Sequence, residues 1–136
     1  MLIAVFDTNV IYSALYFGGK PLLCLQTVAL GFSRPAITNE IWKEYEDILP
    51  HAPQRYPLKP KVSEWLAWFK LAAIKVEPAE LGEISSRDLK DNPFIACAIA
   101  SHAEFLISGD DDLLSMKHRL NFRIVKPADF LSQISS

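Results

Sequence analysis

The chain has 136 residues, half of them hydrophobic, and a formal net charge of −2 at pH 7. That length suits a single domain over residues 1–136, with enough apolar content for a sizeable core. So small a charge speaks against binding nucleic acid by bulk positive charge, while leaving room for a local basic patch.

The first element is "LIAVF", residues 2–6, a continuous apolar run that ends at Asp7. Such a run fits a strand buried on both faces, as in a parallel sheet. It is too short for the apolar part of a signal peptide, and no basic stretch precedes it. No segment approaches the roughly 18 apolar residues of a membrane span. The expectation is a soluble cytoplasmic protein.

Residues 21–30, "PLLCLQTVAL", predict a helix with Pro21 in its first turn and Gly31 as its stop. A weaker strand candidate, "RPAIT", follows at 34–38. Residues 39–49 predict an amphipathic helix with Ile41, Tyr45, Ile48 and Leu49 on one face. The Pro-rich stretch 50–60 reads as a loop between two helices. Residues 61–73 predict another amphipathic helix, carrying Val62, Trp65, Leu66 and Phe69. "AAIKV" at 72–76 and "FRIV" at 122–125 are weaker strands, and "EFLIS" at 104–108 repeats the form of the first run. Between them "NPFIACAIASHA", 92–103, is apolar nearly all round and should be a central buried helix. Cys24 and Cys97 lie far apart in apolar surroundings without CxxC spacing, which points to buried free thiols and a reducing compartment. Strands alternating with helices predict an α/β domain with a mostly parallel sheet.

Two of the strand-like runs end in aspartate, Asp7 and Asp110. In open parallel sheets ligands bind beyond the carboxyl ends of the strands. If the two strands are neighbours, these carboxylates meet at one edge. Alternatively, each Asp only caps the helix or turn that follows. Asp91, or Asn92 beside it, is placed to cap the buried helix, and Asp88 reads as a solvated loop acid. On the helix 39–49, Glu44 lies roughly 85° from the centre of the apolar face. Glu40, Glu46 and Asp47 lie about 115° to 145° away. Glu44 therefore borders the buried face, and the other three point to solvent.

Carboxylates do not converge freely. Two of them 4 Å apart repel by about 4 kcal/mol at an effective dielectric of 20, and a divalent cation offsets that repulsion. An all-oxygen set without His or Cys favours Mg²⁺ or Mn²⁺ over Zn²⁺. His51, His102 and His118 show no ligand spacing, and His102 reads as a surface or capping residue.

The stretches "VFDTNVIYSAL", "ITNEIWKEYEDIL" and "DLKDNPFIACAIASHAEFLISGDDDLL" occur in this order. Together they resemble the acidic blocks of PIN-domain ribonucleases over about residues 2–131. The likeness is nearest to the PIN proteins that act as toxins of toxin–antitoxin pairs. The resemblance implies a three-layer α/β/α sandwich around a mostly parallel sheet of about five strands. It implies a catalytic and metal-binding quartet of Asp7, Glu44, Asp91 and Asp110, with Asp112 as a fifth acid. Asn9 and Ser108 match polar positions near the metal. Ser108 stands where Thr is more common, and Asp111 is expected to face water. It also implies one or two Mg²⁺ or Mn²⁺ ions, a cognate antitoxin and a homodimer, for which Trp65 and Trp68 offer apolar surface.

The expected activity is metal-dependent hydrolysis of single-stranded RNA, with water as nucleophile and 5′-phosphate and 3′-hydroxyl ends as products. Lys20, Arg55, Lys59, Lys61, Arg87, Lys90, Lys117 and Arg119 are candidates for a basic rim. Three rivals compete. A receiver-like phosphoacceptor needs an acidic pair at the first strand, where this chain has only Asp7. A DxD phosphatase needs a second acid at Asn9. A non-catalytic PIN-like scaffold that binds RNA or a partner would have no use for the intact acid set.

Overall fold

The computed structural model describes residues 2–51, 61–86, 88–116 and 120–134. In chain order these form β1 (Leu2–Phe6), α1 (Thr8–Phe17), α2 (Gly19–Ala29), β2 (Ser33–Ile37), α3 (Asn39–Ile48), α4 (Val62–Ala72) and β3 (Ile74–Lys75). A 3₁₀ turn (Leu89–Asp91) leads into α5 (Asn92–Ser101), followed by β4 (Phe105–Ile107), α6 (Asp111–Leu114), β5 (Arg123–Val125) and α7 (Pro127–Ile134). Residues 52–60 of the expected Pro-rich loop lie outside the described residues, with Arg55 and Lys59 among them.

The five strands make one all-parallel sheet in the order β3-β2-β1-β4-β5. Helices flank it as a three-layer α/β/α sandwich, as expected. The apolar run 2–6 becomes β1 at the centre, with Ala4, Val5 and Phe6 fully buried. Neighbours on both sides leave such a strand no wet face. From β1 the chain first builds outward through β2 to β3. It then returns to place β4 on the other flank of β1. The reversal puts a switch point between β1 and β4, where a parallel sheet opens a crevice at its carboxyl edge. Phe6 pairs with Ile107 in that register, so the residues that follow each strand emerge side by side.

Local chemistry sets the helix limits. Gly31, at φ +81°, follows the last residues of α2 in a conformation that an L side chain rarely adopts. The helix itself begins at Gly19, two residues before the expected start. Gly18, at φ +72°, turns the chain from α1 into it. Thr38 opens α3 by accepting the Ile41 N–H on its hydroxyl. Ile41, Tyr45 and Leu49 of that helix are buried, but Ile48 is 41% exposed. It faces a groove rather than the core. α5 packs across β1, β2 and β4 and buries Phe94, Ile95, Cys97 and Ala98, which matches its apolar circumference. His102 ends it in the left-handed region, at φ 55°.

Phe69 of α4 joins the layers. It meets the rings of Phe6 and Tyr45 edge-on at 6.0 Å and stacks with Trp65 at 4.7 Å. Trp65 is thereby half-buried against the core, whereas Trp68 is exposed. Cys24 and Cys97 are buried free thiols. Among the described residues no helix is long and apolar enough to cross a membrane.

Candidate metal centre

Asp7 and Asp110 meet as the register requires. The Asp7 N–H extends the β1–β4 ladder by donating to the Ile107 carbonyl at 3.0 Å. The fully buried Ser108 hydroxyl lies between the two acids. It donates to Asp7 Oδ2 at 2.7 Å and accepts the Asp110 N–H at 2.9 Å. A single hydroxyl thus orients one carboxylate and anchors the loop that carries the other.

Asp110 also caps α6, its Oδ1 accepting the Asp112 N–H at 2.7 Å. Capping and a ligand role are compatible here, because the cap bond occupies one carboxylate oxygen of Asp110 and leaves the other available. Asp7 precedes α1 without making a side-chain cap bond.

Glu44 arrives from α3. It is partly buried, whereas Glu40, Glu46 and Asp47 are exposed, as the helical angles predict. The Thr8 hydroxyl, one residue beyond Asp7, donates to Glu44 Oε2. The Tyr45 hydroxyl, one residue beyond Glu44, donates to the carbonyl of Phe6, one residue before Asp7. Burial holds this phenol well above its ordinary pKa, which keeps it a donor. Two adjacent bonds therefore register α3 against the end of β1 and bring Glu44 toward Asp7.

The third segment departs from expectation. Asp91 stands at the N-cap position of α5, one of the two expected there, but not as a side-chain cap. The Asp91 side chain makes no capping bond, and Asn92 Oδ1 accepts the Ser86 N–H at 3.0 Å in the preceding loop. Asp88 does the capping instead, for the 3₁₀ turn, by accepting the Lys90 N–H at 3.0 Å. In a 3₁₀ turn residues i and i+3 eclipse, so Asp88 and Asp91 lie on one side. Each of Asp88, Asp91 and Asp110 offers a carboxylate oxygen, and the three lie within 4.8 Å of one another. Asp88 was read as a solvated loop acid, but it belongs to this cluster. The signal for it was the three-residue spacing to Asp91, legible only once a 3₁₀ turn is assumed. Asp7, Glu44 and Asp112 stand outside that triplet.

The charges are strained in a way that fits a cation. Asp91 is buried, and its pKa is raised to about 6, first by burial and then by Asp110 and Asp7. Asp7 is raised as well, mainly by burial. The Ser108 hydroxyl and the Asn9 N–H oppose the rise, and Glu44 and Asp110 add to it. The four acids of the expected quartet thus act on one another across the crevice. Within the triplet, two ionised carboxylates whose oxygens lie within 4.8 Å repel by roughly 3 kcal/mol at an effective dielectric of 20. An oxygen-only donor set of this kind suits a hard divalent ion.

The remaining candidates spread out. Asn9 is exposed on α1, Asp111 is exposed on α6, and Asp112 is partly buried there. Lys20 lines a groove between α2 and α7, whereas Lys90 lines a groove that includes Glu44. Arg87, Lys117 and Arg119 lie outside the described residues.

A family model described as PIN domain matches residues 4–112, a span that contains every acid discussed above. No curated protein matches the chain. PIN domains are generally metal-dependent nucleases, and the acidic triplet is compatible with metal binding.

Proposed function

The chain belongs to the PIN domain family, and on that footing we propose that it is a Mg²⁺- or Mn²⁺-dependent endoribonuclease acting on single-stranded RNA. The observation that carries this reading is the gathering of acids from four segments at the β1–β4 switch point. Asp88, Asp91 and Asp110 supply converging oxygens there, and Asp7 and Glu44 add charge beside them. A divalent ion in such a set lowers the pKa of a water and neutralises charge on the phosphodiester.

The chain's own groups do the positioning. Asp88, Asp91 and Asp110 are the nearest holders of the ion. The Ser108 hydroxyl fixes the Asp7 carboxylate toward the crevice. The Thr8 hydroxyl holds Glu44 beside the end of β1. Burial makes Asp7 and Asp91 reluctant to ionise, so cation binding draws protons off them. The RNA 2′-hydroxyl has no part in attack by water, so the products are 5′-phosphate and 3′-hydroxyl ends. Incubating a labelled single-stranded RNA with Mn²⁺ and identifying the new termini tests this. Recovery of 2′,3′-cyclic phosphate would overturn it, as would an Asp7→Asn variant that cuts at the wild-type rate.

The toxin role is supported by the likeness of the acidic blocks to the toxin branch of the family. Expression should arrest growth, Asp110→Asn should relieve the arrest, and the product of an adjacent gene should neutralise it. A homodimer is supported by exposed Trp68 and Leu71 on α4. Sedimentation showing only monomer at micromolar concentration would remove it.

A further inference from the structure

Beside the acids lies a groove that the hydrolytic chemistry leaves unused. It is a cavity of about 430 Å³ between α3 and the 3₁₀ turn with the start of α5, within the size range of small-ligand sites. Three features set it apart from ordinary surface. Glu44 lines one wall of this cavity, and the other wall holds Leu89 and Lys90, which lie between Asp88 and Asp91 in the chain, so the groove borders the acidic site. Its two walls carry Ile48 from α3 and Leu89 from the turn, which are 41% and 72% exposed. Apolar side chains on both walls of one cleft give it the apolar lining typical of a ligand pocket. Each wall also carries an exposed cation, Lys43 on α3 and Lys90 beside Leu89.

An apolar slot with a cation on either side, leading to a phosphodiester-cleaving centre, fits a flat ring with a phosphate on each flank. We propose that this groove is a subsite for one unpaired nucleobase of the strand being cut, with Lys43 and Lys90 meeting the flanking phosphates. The proposal rests on the nuclease reading above. Exposed Glu40 and Asp47 at the same groove repel phosphate but accept N–H from a base edge. Their charge steers the base inward and keeps the backbone on the lysines. A base paired within a duplex cannot enter without being extruded, so the groove gives the enzyme a physical preference for single strands.

The test uses the full chain in EDTA, where binding is read without cleavage. A fluorescein-labelled single-stranded RNA 10-mer and a duplex of equal length are titrated by anisotropy. The wild type should bind the single strand about tenfold more tightly than the duplex. The double variant Ile48→Ser/Leu89→Ser, altered only at exposed positions and checked by melting, should lose most of that difference. Lys43→Ser/Lys90→Ser should weaken binding and flatten its salt dependence. Wild type and Ile48→Ser/Leu89→Ser binding the single strand equally would overturn the subsite, as would a wild type that binds neither strand. A parallel assay with Mn²⁺ uses bis(p-nitrophenyl) phosphate, a diester too small to span the groove. Its hydrolysis should be the same in wild type and in the Ile48→Ser/Leu89→Ser variant. Loss of hydrolysis in that variant alone would assign the groove to the chemistry and overturn a purely positioning role. A wild type inert toward both the diester and the RNA defeats the nuclease reading, and the EDTA titration still decides whether the base subsite exists.

Discussion

Asp7 and Asp110 follow adjacent strands, while Asp88 and Asp91 cap and end a 3₁₀ turn in a separate segment of the chain. The strand pair is held by ladder register and by one buried hydroxyl that touches both segments. The turn pair is held by local bonds, with Asp88 accepting the Lys90 N–H and Asp91 accepting the Ser86 hydroxyl at 3.3 Å. A parallel sheet therefore sets the position of half the site before any side chain is chosen. The other half depends on a short turn that local sequence can tune. A metal that bridges the halves reads both, and variants on each side should fail in different ways.

The largest effect belongs to the strand side. Asp110→Asn should lower the RNA cleavage rate by at least about 100-fold at saturating Mn²⁺, with a native-like melting curve. Near-wild-type cleavage would remove Asp110 from the centre. On the turn side, Asp88→Asn should weaken Mn²⁺ binding by roughly 10-fold in calorimetry, with a smaller loss of rate when the metal saturates. Unchanged affinity would return Asp88 to the solvated role its loop position implies.

Between the halves sits Ser108. Ser108→Ala deprives Asp7 Oδ2 of its donor and the Asp110 N–H of its acceptor in a buried site, which should cost about 1–3 kcal/mol of stability. Ser108→Thr keeps the hydroxyl and should keep most activity. If chemical denaturation shows Ser108→Ala as stable as the wild type, the bridging role is wrong.

A smaller effect separates the halves by pH. The folded-state pKa of Asp91 is raised from 3.8 to about 6, so the native protein binds more protons than the unfolded chain between these values. Its contribution is complete below about pH 4 and is lost as pH rises through 6. Asp7 acts in the same direction. Melting in EDTA should therefore show metal-free stability falling over this window, and Asp91→Asn should flatten the slope. Excess Mn²⁺ should reverse the trend, because the ion favours the ionised forms. An unchanged slope in Asp91→Asn would show that Asp91 ionises without strain. Least affected should be Glu46→Gln, on the exposed face of α3, with both rate and melting temperature near wild type. A clear loss there would extend the site around the helix.

The legible half of the site is also the half that strands build. An apolar run before an Asp announces a buried strand, and the strands expected ahead of Asp7 and Asp110 are present, although Asp7 itself is buried. Glu44 was legible because a helix repeats every 3.6 residues, so its angle to Ile41 and Tyr45 could be calculated. Ile48 broke the same pattern. Periodicity assigns a face, but only the neighbouring turn decides whether that face meets core or groove. The region 88–92 was misread for a related reason. Asp88, Asp91 and Asn92 are all good caps, and which one caps depends on a loop whose course the residues alone do not specify. Helices α6 and α7, of four and eight residues, are short, and neither they nor the ten-residue α1 were among the expected elements.

From the sequence alone came the α/β class, the buried central strand and helix, the free thiols, and the order of the acidic blocks. All of these rest on local hydrophobicity and spacing, which survive without knowledge of partners. Tertiary structure decided the strand order, the convergence of Asp88 with Asp91 and Asp110, and the groove between α3 and α5. Each of these is a distance between residues far apart in the chain or turned by a loop. Such distances are set by how the layers pack, because no local propensity encodes them.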